Sequence, residues 1–214
     1  ESLEMLEQAQ NKHTEIACIT SGGHLAEIAK EKNYNHIIIP GGHPPRGAFG
    51  LAFPTLFTLL NHYSIVEKDF TNEFEQATNS IDKEEKNIIA EAKDISEKLY
   101  KRIPIIYADA NYEGVAVRFR QQINENSKML CWHHVIPEMN HNELVGWAGG
   151  NQNHCVILFR NESDFRKSQV RMEIAEGIMK EYTSNYHEIW SKGSSDIQRS
   201  LYLILFGDWV SIYL

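Results

Sequence analysis

The sequence has few cysteines and no long apolar run. Its three cysteines, Cys18, Cys131 and Cys155, are widely spaced and form no CxxC pair, which excludes a disulfide framework. Each lies in a strand-like apolar run, and we interpret them as small buried residues in a reducing compartment. No apolar stretch approaches the roughly 20 residues that span a bilayer, and no signal peptide is visible. We therefore expect a cytoplasmic protein with no membrane partner.

Positive charge is also scarce. The chain has 21 Lys and Arg against 29 Asp and Glu, which gives a net charge of −8. A surface for nucleic acid needs clustered Lys and Arg to neutralise phosphates, so we expect no nucleic-acid partner. The 214 residues have an ordinary globular composition, sufficient for one large domain or two small ones.

Strand-like and helical stretches alternate in the first part of the chain. An apolar run at residues 15–20 ends in a glycine turn, and a helical stretch at 24–32 follows. The β-branched run at 36–39 then ends at another glycine pair. This order predicts a βαβ unit with a parallel sheet, and the long apolar stretch at 49–63 predicts a helix.

The remaining chain begins with a charged stretch and then repeats the alternation. Residues 67–102 predict a solvated helical connector, because apolar side chains recur there at helical spacing: Ile88, Ile89, Ala92, Ile95 and Leu99. Strands are predicted at 104–108, 131–136 and 155–159, and helices at 112–124, at 165–182 and from 195 onward. We therefore assign residues 1–66 to a first α/β unit, 67–102 to the connector and 103–214 to a second unit.

Ligands of open α/β sheets bind beyond the carboxyl ends of the strands, and three loops have that position. In the first, residues 20–23, hydroxyls and glycines could present N–H groups to an anion, although a purely structural turn is equally compatible. The second, residues 40–47, is stiffened by three prolines and holds Arg46. A guanidinium held there suits a carboxylate, a phosphate or a developing oxyanion; the alternative is a salt bridge to the scaffold.

The third loop reads PEMNHNELVGW over residues 137–147 and follows a strand that we take to be central. Glu138 or Glu143 would point from it into the crevice, and a carboxylate among apolar neighbours suits a general base. An alternative makes Glu143 a structural residue, in a capping box with Asn140 as the helix N-cap. A metal site is disfavoured, because His133 and His134 are adjacent in a strand and point to opposite faces.

Four stretches together resemble the bifunctional phosphoglucose/phosphomannose isomerases of the sugar isomerase (SIS) superfamily. They are ITSGGHLAEIA (19–29), IIIPGGHPPRGAFG (37–50), PEMNHNELVGW (137–147) and LILFGDWVSIYL (203–214). The resemblance implies an α/β fold of two SIS domains, each a parallel sheet between helices. Residues 1–66 would then be the C-terminal part of the first SIS domain, and 103–214 the second. It also implies a homodimer without metal or organic cofactor.

The resemblance implies reversible isomerisation of glucose 6-phosphate or mannose 6-phosphate to fructose 6-phosphate through an enediolate. Glu143 is our choice for the base, with Glu138 second, and Arg46 would stabilise the enediolate charge. The residues implied to bind substrate are Thr20, Ser21, Gly41, Gly42 and His141.

The sequence also departs from the family pattern. We expect a fragment of a longer protein, with the Ser/Thr-rich phosphate loop of the family lying upstream and a lysine that assists ring opening lying downstream. Family members often carry a histidine in the segment matched by 163–166, where this sequence has Phe165. His154 lies nearby but is not equivalent, so ring opening is unassigned. The alternative function is a SIS protein that binds phosphosugars as a regulator without turning them over.

Overall fold

The computed structural model describes residues 2–67 and 70–214, and these divide into two compact units. The first unit ends at Asn72, and the second runs from Glu73 to Leu214. None of the helices in the described residues is long and apolar enough to cross a membrane.

The first unit is built around two parallel strands. Its elements in chain order are α1 (Ser2–Asn11), β1 (Ala17–Thr20), α2 (Gly23–Glu31), β2 (Asn35–Ile38) and α3 (Phe49–His62). Strands β1 and β2 pair in parallel, with Thr20 opposite Ile38, so the predicted βαβ order is confirmed. Parallel pairing requires the crossover that α2 supplies.

The second unit contains a four-stranded parallel sheet. Its elements in chain order are α4 (Phe70–Leu99, of which the first three residues belong to the first unit), β3 (Ile103–Asp109), α5 (Glu113–Gln122), β4 (Trp132–Ile136), α6 (Met139–Asn142), β5 (His154–Arg160), α7 (Arg166–Lys180), β6 (Tyr186–Trp190) and α8 (Asp196–Tyr213). The strand order is β4-β3-β5-β6, and all neighbouring strands run parallel. A short 3-10 segment, Leu144–Gly149, lies between α6 and β5.

The sheet of the second unit lies between two layers, each with its own core. Helices α4, α5 and α8 bury apolar residues against one face. Helix α7 and the segment from α6 to Trp147 cover the other face. Strand residues supply the two cores alternately, because successive side chains of a strand point to opposite faces. Ile106 and Ile157 thus face the first layer, whereas Ile105 and Tyr107 face the second.

Two features differ from the sequence expectations. The sequence predicted no strand between residues 183 and 194, yet β6 (Tyr186–Trp190) forms the edge of the sheet there. Its polar residues mask the signal, because an edge strand needs to bury only part of its surface. The apolar stripe of α4 also packs into the core of the second unit, so this helix does more than connect.

Candidate active site

The predicted anion-binding residues of the first unit lie at the carboxyl ends of its parallel strands. Thr20 ends β1, and Ser21 and Gly41 lie on adjoining loops. A Cβ atom on Gly41 would be 3.7 Å from both the Cβ atom and the carbonyl oxygen of Ser21. The N–H of Ile39 donates to the carbonyl oxygen of Thr20 at 2.9 Å and joins the two loops. The structure therefore brings Thr20, Ser21 and Gly41 together.

The first of these loops is held by its own hydrogen bonds. The hydroxyl of Thr20 donates to the carbonyl oxygen of Gly22 at 2.9 Å and accepts from its N–H at 3.2 Å. Gly22 has φ 136° and Gly42, on the second loop, has φ 89°, conformations that favour glycine. The Thr20 hydroxyl thus stabilises the turn, and Ser21 is the exposed hydroxyl of this loop.

Arg46 lies in the 3-10 turn Pro45–Gly47, between β2 and α3. The N–H of Gly47 donates to the carbonyl oxygen of Pro44 at 2.8 Å, and the side chain of Arg46 is exposed. A turn that begins with two prolines restricts the backbone, as expected from the sequence. Arg46 therefore belongs to the first unit with Thr20 and Ser21, whereas Glu143 and His141 belong to the second.

The PEMNHNELVGW segment turns back across the sheet instead of projecting beyond it. The Ile136–Pro137 peptide bond is cis, α6 spans Met139–Asn142, and Met139 is fully buried in the core. The capping-box alternative was wrong. Asn140 lies inside α6 and Glu143 follows the end of this helix, so neither residue has the position that a capping box requires.

The location of the Glu143 carboxylate also corrects the sequence expectation. Strand β4 is an edge strand of the described sheet and is not central. The Oε1 atom of Glu143 accepts a hydrogen bond from the hydroxyl of Tyr107 in β3, and another at 3.2 Å from Nε1 of Trp132. Trp132 is the first residue of β4 and Tyr107 lies within β3, so the carboxylate lies over the face of the sheet and not beyond the carboxyl ends of the strands.

Tyr107 is the buried centre of this hydrogen-bond network. Its side chain is fully buried, and its hydroxyl accepts a 3.0 Å hydrogen bond from Nε1 of Trp147 while donating to Glu143. Burial raises the pKa of Tyr107, and the hydrogen bond to the Glu143 carboxylate raises it further. Tyr107 therefore stays protonated and remains a donor at neutral pH.

Glu143 lines a cavity of about 270 Å³ in the second unit. The walls are mostly apolar or backbone, and besides Glu143 they comprise Ile105, Trp132, Gly146, Trp147, Gly149, Gly150 and His154. Within the second unit, no donor contacts Oε2 of Glu143, whereas Oε1 has two. The cavity thus combines apolar walls with one carboxylate oxygen that is available to a ligand.

His154 is a cavity residue to which the sequence assigned no role. Its ring makes edge contacts with Trp132 and Trp147, at centroid distances of 6.0 and 5.8 Å. The N–H of Asn151 donates to its Nδ1 at 3.2 Å, which makes Nδ1 the acceptor and places the proton of the neutral ring on Nε2. The sequence could not show this cluster of rings. Trp132, Trp147 and His154 contact one another only in the folded chain, in which β3 pairs with both β4 and β5.

Three other predicted or discussed residues lie outside this cavity. His141 is exposed on α6, and Glu138 is exposed and accepts a 3.3 Å hydrogen bond from Asn142. Phe165, at the place where the resemblance expects a histidine, directly precedes α7 and is 62% exposed. Across residues 2–67 and 70–214, no three His, Cys, Asp or Glu side chains form a group that could hold a metal ion.

A comparison with protein families identifies this architecture. Residues 88–214 match the family described as bacterial phospho-glucose isomerase C-terminal SIS domain. The chain belongs to this family. The matched SIS-domain region contains Glu143, Tyr107, both cavity indoles and His154.

Relatives with curated names extend the similarity over the whole chain. The chain is 32% identical over 216 residues to the bifunctional phosphoglucose/phosphomannose isomerase of Aquifex aeolicus (strain VF5), with 100% of the chain and 65% of the relative covered. It is also 32% identical to the enzyme of the same name from Caldicellulosiruptor bescii, with 100% and 66% covered. The chain therefore spans slightly less than two thirds of the length of these relatives.

Solved structures share the fold at low sequence identity. A glucose-6-phosphate isomerase-like protein from Thermus thermophilus matches with a TM-score of 0.62 and 15% identity, covering 92% of this chain and 70% of the other. This likeness concerns the fold alone.

Proposed function

We propose that the protein is an aldose–ketose isomerase that interconverts glucose 6-phosphate, mannose 6-phosphate or both with fructose 6-phosphate. The observation that carries the proposal is the Glu143 carboxylate, which lines an apolar cavity with one oxygen hydrogen-bonded and the other available. Membership of the SIS family and relatives that bear the isomerase name support the choice of reaction.

In the proposed reaction, Glu143 acts as the general base. It takes the proton from C2 of the open-chain aldose, the C–H electron pair forms the C1–C2 double bond, and the carbonyl electron pair moves to O1 to give an enediolate. Glu143 then returns the proton to C1, using the electron pair of the C1–C2 double bond. The proton on O2 passes to O1, and the electron pair that it leaves on O2 forms the C2 carbonyl. A positioned base of this kind contributes about 10²–10⁴-fold to the rate.

We assign the charge-stabilising and binding roles to the first unit. Arg46 would stabilise the enediolate, a role in which a single donor is worth about 10²–10³-fold. Thr20, Ser21 and the glycines Gly41 and Gly42 would bind the substrate, and the proximity of Gly41 to Ser21 supports a shared site. His141 keeps its proposed binding role outside the cavity, on the exposed face of α6.

The cavity supplies a proposal for ring opening, which the sequence left unassigned. His154 shares the cavity with Glu143 and has its neutral proton on Nε2, so we propose that this N–H donates a hydrogen bond to the ring oxygen as the C1–O5 bond breaks. The ring oxygen takes its proton from water, and the anomeric hydroxyl loses its proton to water. We propose no cofactor, because an enediolate mechanism needs only acid–base and electrostatic groups. The three unpaired cysteines favour a cytoplasmic location.

The proposed assembly is a homodimer in which both units are SIS domains. Both proposals rest on the family resemblance. Light scattering at several concentrations of the protein would test the homodimer. A monomer at all concentrations would contradict the proposal.

A second function needs a test because of one residue. Phe165 stands exposed where the family resemblance leads us to expect a histidine, which favours a protein that binds phosphosugars as a regulator without turnover. The intact Glu143 cavity favours the enzyme.

One experiment separates the two functions. The complete natural polypeptide is incubated with fructose 6-phosphate, and coupled assays follow glucose 6-phosphate and mannose 6-phosphate. Production of both supports a bifunctional isomerase, and production of one gives the preference. Binding of fructose 6-phosphate by calorimetry without either product would support the regulator and contradict the isomerase.

A further inference from the structure

We infer that Tyr107, fixed by Trp147, is a positioning residue that holds Oε1 of Glu143 and leaves Oε2 as the oxygen that accepts the substrate proton. This inference rests on the proposed function, because it assigns a task to a residue behind the proposed base. It explains why the motif that carries Glu143 ends in a buried tryptophan.

The geometry fixes the carboxylate from two directions. The hydroxyl of Tyr107 approaches Oε1 from β3, and the indole N–H of Trp132 approaches the same atom from β4. Tyr107 and Trp132 belong to neighbouring strands of one rigid sheet. Because both donors bond to one oxygen, rotation of the carboxylate would break both hydrogen bonds.

Trp147 orients the donor itself. Its Nε1–H donates a hydrogen bond to the hydroxyl oxygen of Tyr107 at 3.0 Å, so the hydroxyl proton of Tyr107 is directed to Glu143. Both aromatic side chains are buried, at 0% exposure for Tyr107 and 4% for Trp147, and neither can exchange this partner for water without opening the core. A chain of donors from Trp147 through Tyr107 thus ends on Oε1.

This arrangement has a chemical consequence. Hydrogen bonds to an ionised acceptor are about twice as strong as neutral ones, so the two donors hold the Glu143 carboxylate more firmly than they would hold a neutral group. The network also holds the base in one orientation before the substrate arrives, which removes an ordering cost from the transition state.

The test is Tyr107→Phe in the complete natural polypeptide, with Tyr186→Phe as the matched control. Tyr186 also lies in the core on this face of the sheet, but its buried hydroxyl has no hydrogen-bond partner within the second unit. We expect Tyr107→Phe to lower kcat about 10- to 100-fold with KM changed less than about threefold. The split between kcat and KM is the decisive readout, because loss of a positioning donor slows the chemical step, whereas a general loss of structure would also weaken substrate binding.

Tyr186→Phe should leave both kcat and KM unchanged. If Tyr107→Phe folds normally and retains the wild-type kcat, the inference is overturned.

A second variant covers the case in which Tyr107→Phe does not fold. Trp132→Phe removes the other donor to Oε1 from a side chain that is 39% exposed, and the same drop in kcat with little change in KM is expected. An unchanged kcat would overturn the inference. Failure of the proposed function looks different, since the wild type would then interconvert no sugar phosphate, or Glu143→Gln would retain full turnover.

Discussion

The indole Nε1 of Trp147 donates a 3.0 Å hydrogen bond to the hydroxyl of Tyr107, forty residues earlier in the chain. This contact joins the end of the PEMNHNELVGW segment to strand β3. Because Met139 anchors the beginning of the segment in the same core, Glu143 is held between two buried residues. The position of the carboxylate is therefore a property of the sheet and not of a flexible loop.

Glu143→Gln should lower kcat by about 10²–10⁴-fold with little effect on the binding of fructose 6-phosphate, because the amide keeps the shape and loses the base. Steady-state assays and calorimetry measure the two effects. Glu138→Gln is the matched control from the same segment, where the carboxylate is exposed and outside the cavity. Loss of turnover in Glu138→Gln with activity kept in Glu143→Gln would exchange the two assignments.

His154→Asn should lower kcat about 10- to 100-fold if the Nε2–H assists ring opening in the cavity, because the imidazole donor is lost while a small polar side chain is kept. The measurement is the rate of fructose 6-phosphate conversion. His133→Asn is the control, since His133 lies in β4 outside the cavity and its side chain points away from the face that Trp132 shares with the cavity. Equal losses in the two variants would argue against a specific role for His154.

The sequence was sufficient to predict most elements, because their apolar periodicity is regular. Helix α8 shows this well: Ser195 was the predicted start, and its side chain accepts a hydrogen bond from the N–H of Gln198 as the N-cap. Strand β6 escaped prediction because its sequence, YHEIW, carries two polar residues among three apolar ones. Its identity as a strand depends on pairing with β5, which no local pattern reveals.

The candidate site likewise has one part that the sequence predicted and another part that it did not. The motif around Glu143 pointed to this carboxylate as the candidate base, because polar residues crowd there directly after a predicted strand. Its partners could not be predicted, because Tyr107 lies 36 residues away and reads as one more apolar residue of a buried strand. The sequence also could not predict the direction in which the PEMNHNELVGW segment runs, because that direction depends on the packing of Met139 and Trp147 against the sheet.

Gly207→Ala should destabilise the second unit by about 1–3 kcal/mol, the usual cost of overpacking. A Cβ atom there would lie 2.8 Å from Cδ2 of Phe119, whose ring is 2% exposed and has little room to move. Gly177→Ala is the matched control, because no atom lies within 4 Å of its added Cβ in α7. It should stabilise by about 0.5–1 kcal/mol through helix propensity. Chemical denaturation measures both, and equal effects would contradict the close approach of α5 and α8.

His187 should make the fold less stable in acid. Burial, and then the charge of Lys98, lower the pKa of this histidine, while Asp94 opposes the change and Arg102 adds to it. The unfolded chain has the ordinary histidine pKa of about 6.5, so it binds the proton more readily than the folded chain does. The stabilising contribution of neutral His187 is therefore fully present above about pH 6.5 and is lost as the pH falls through the folded-state pKa. His187→Phe should reduce the fall in Tm between about pH 7.5 and pH 5, which calorimetry measures. His141→Gln is the control, because this histidine is exposed and its replacement should leave the fall in Tm unchanged. A fall in His187→Phe as large as in the wild type would show that other groups control the acid sensitivity.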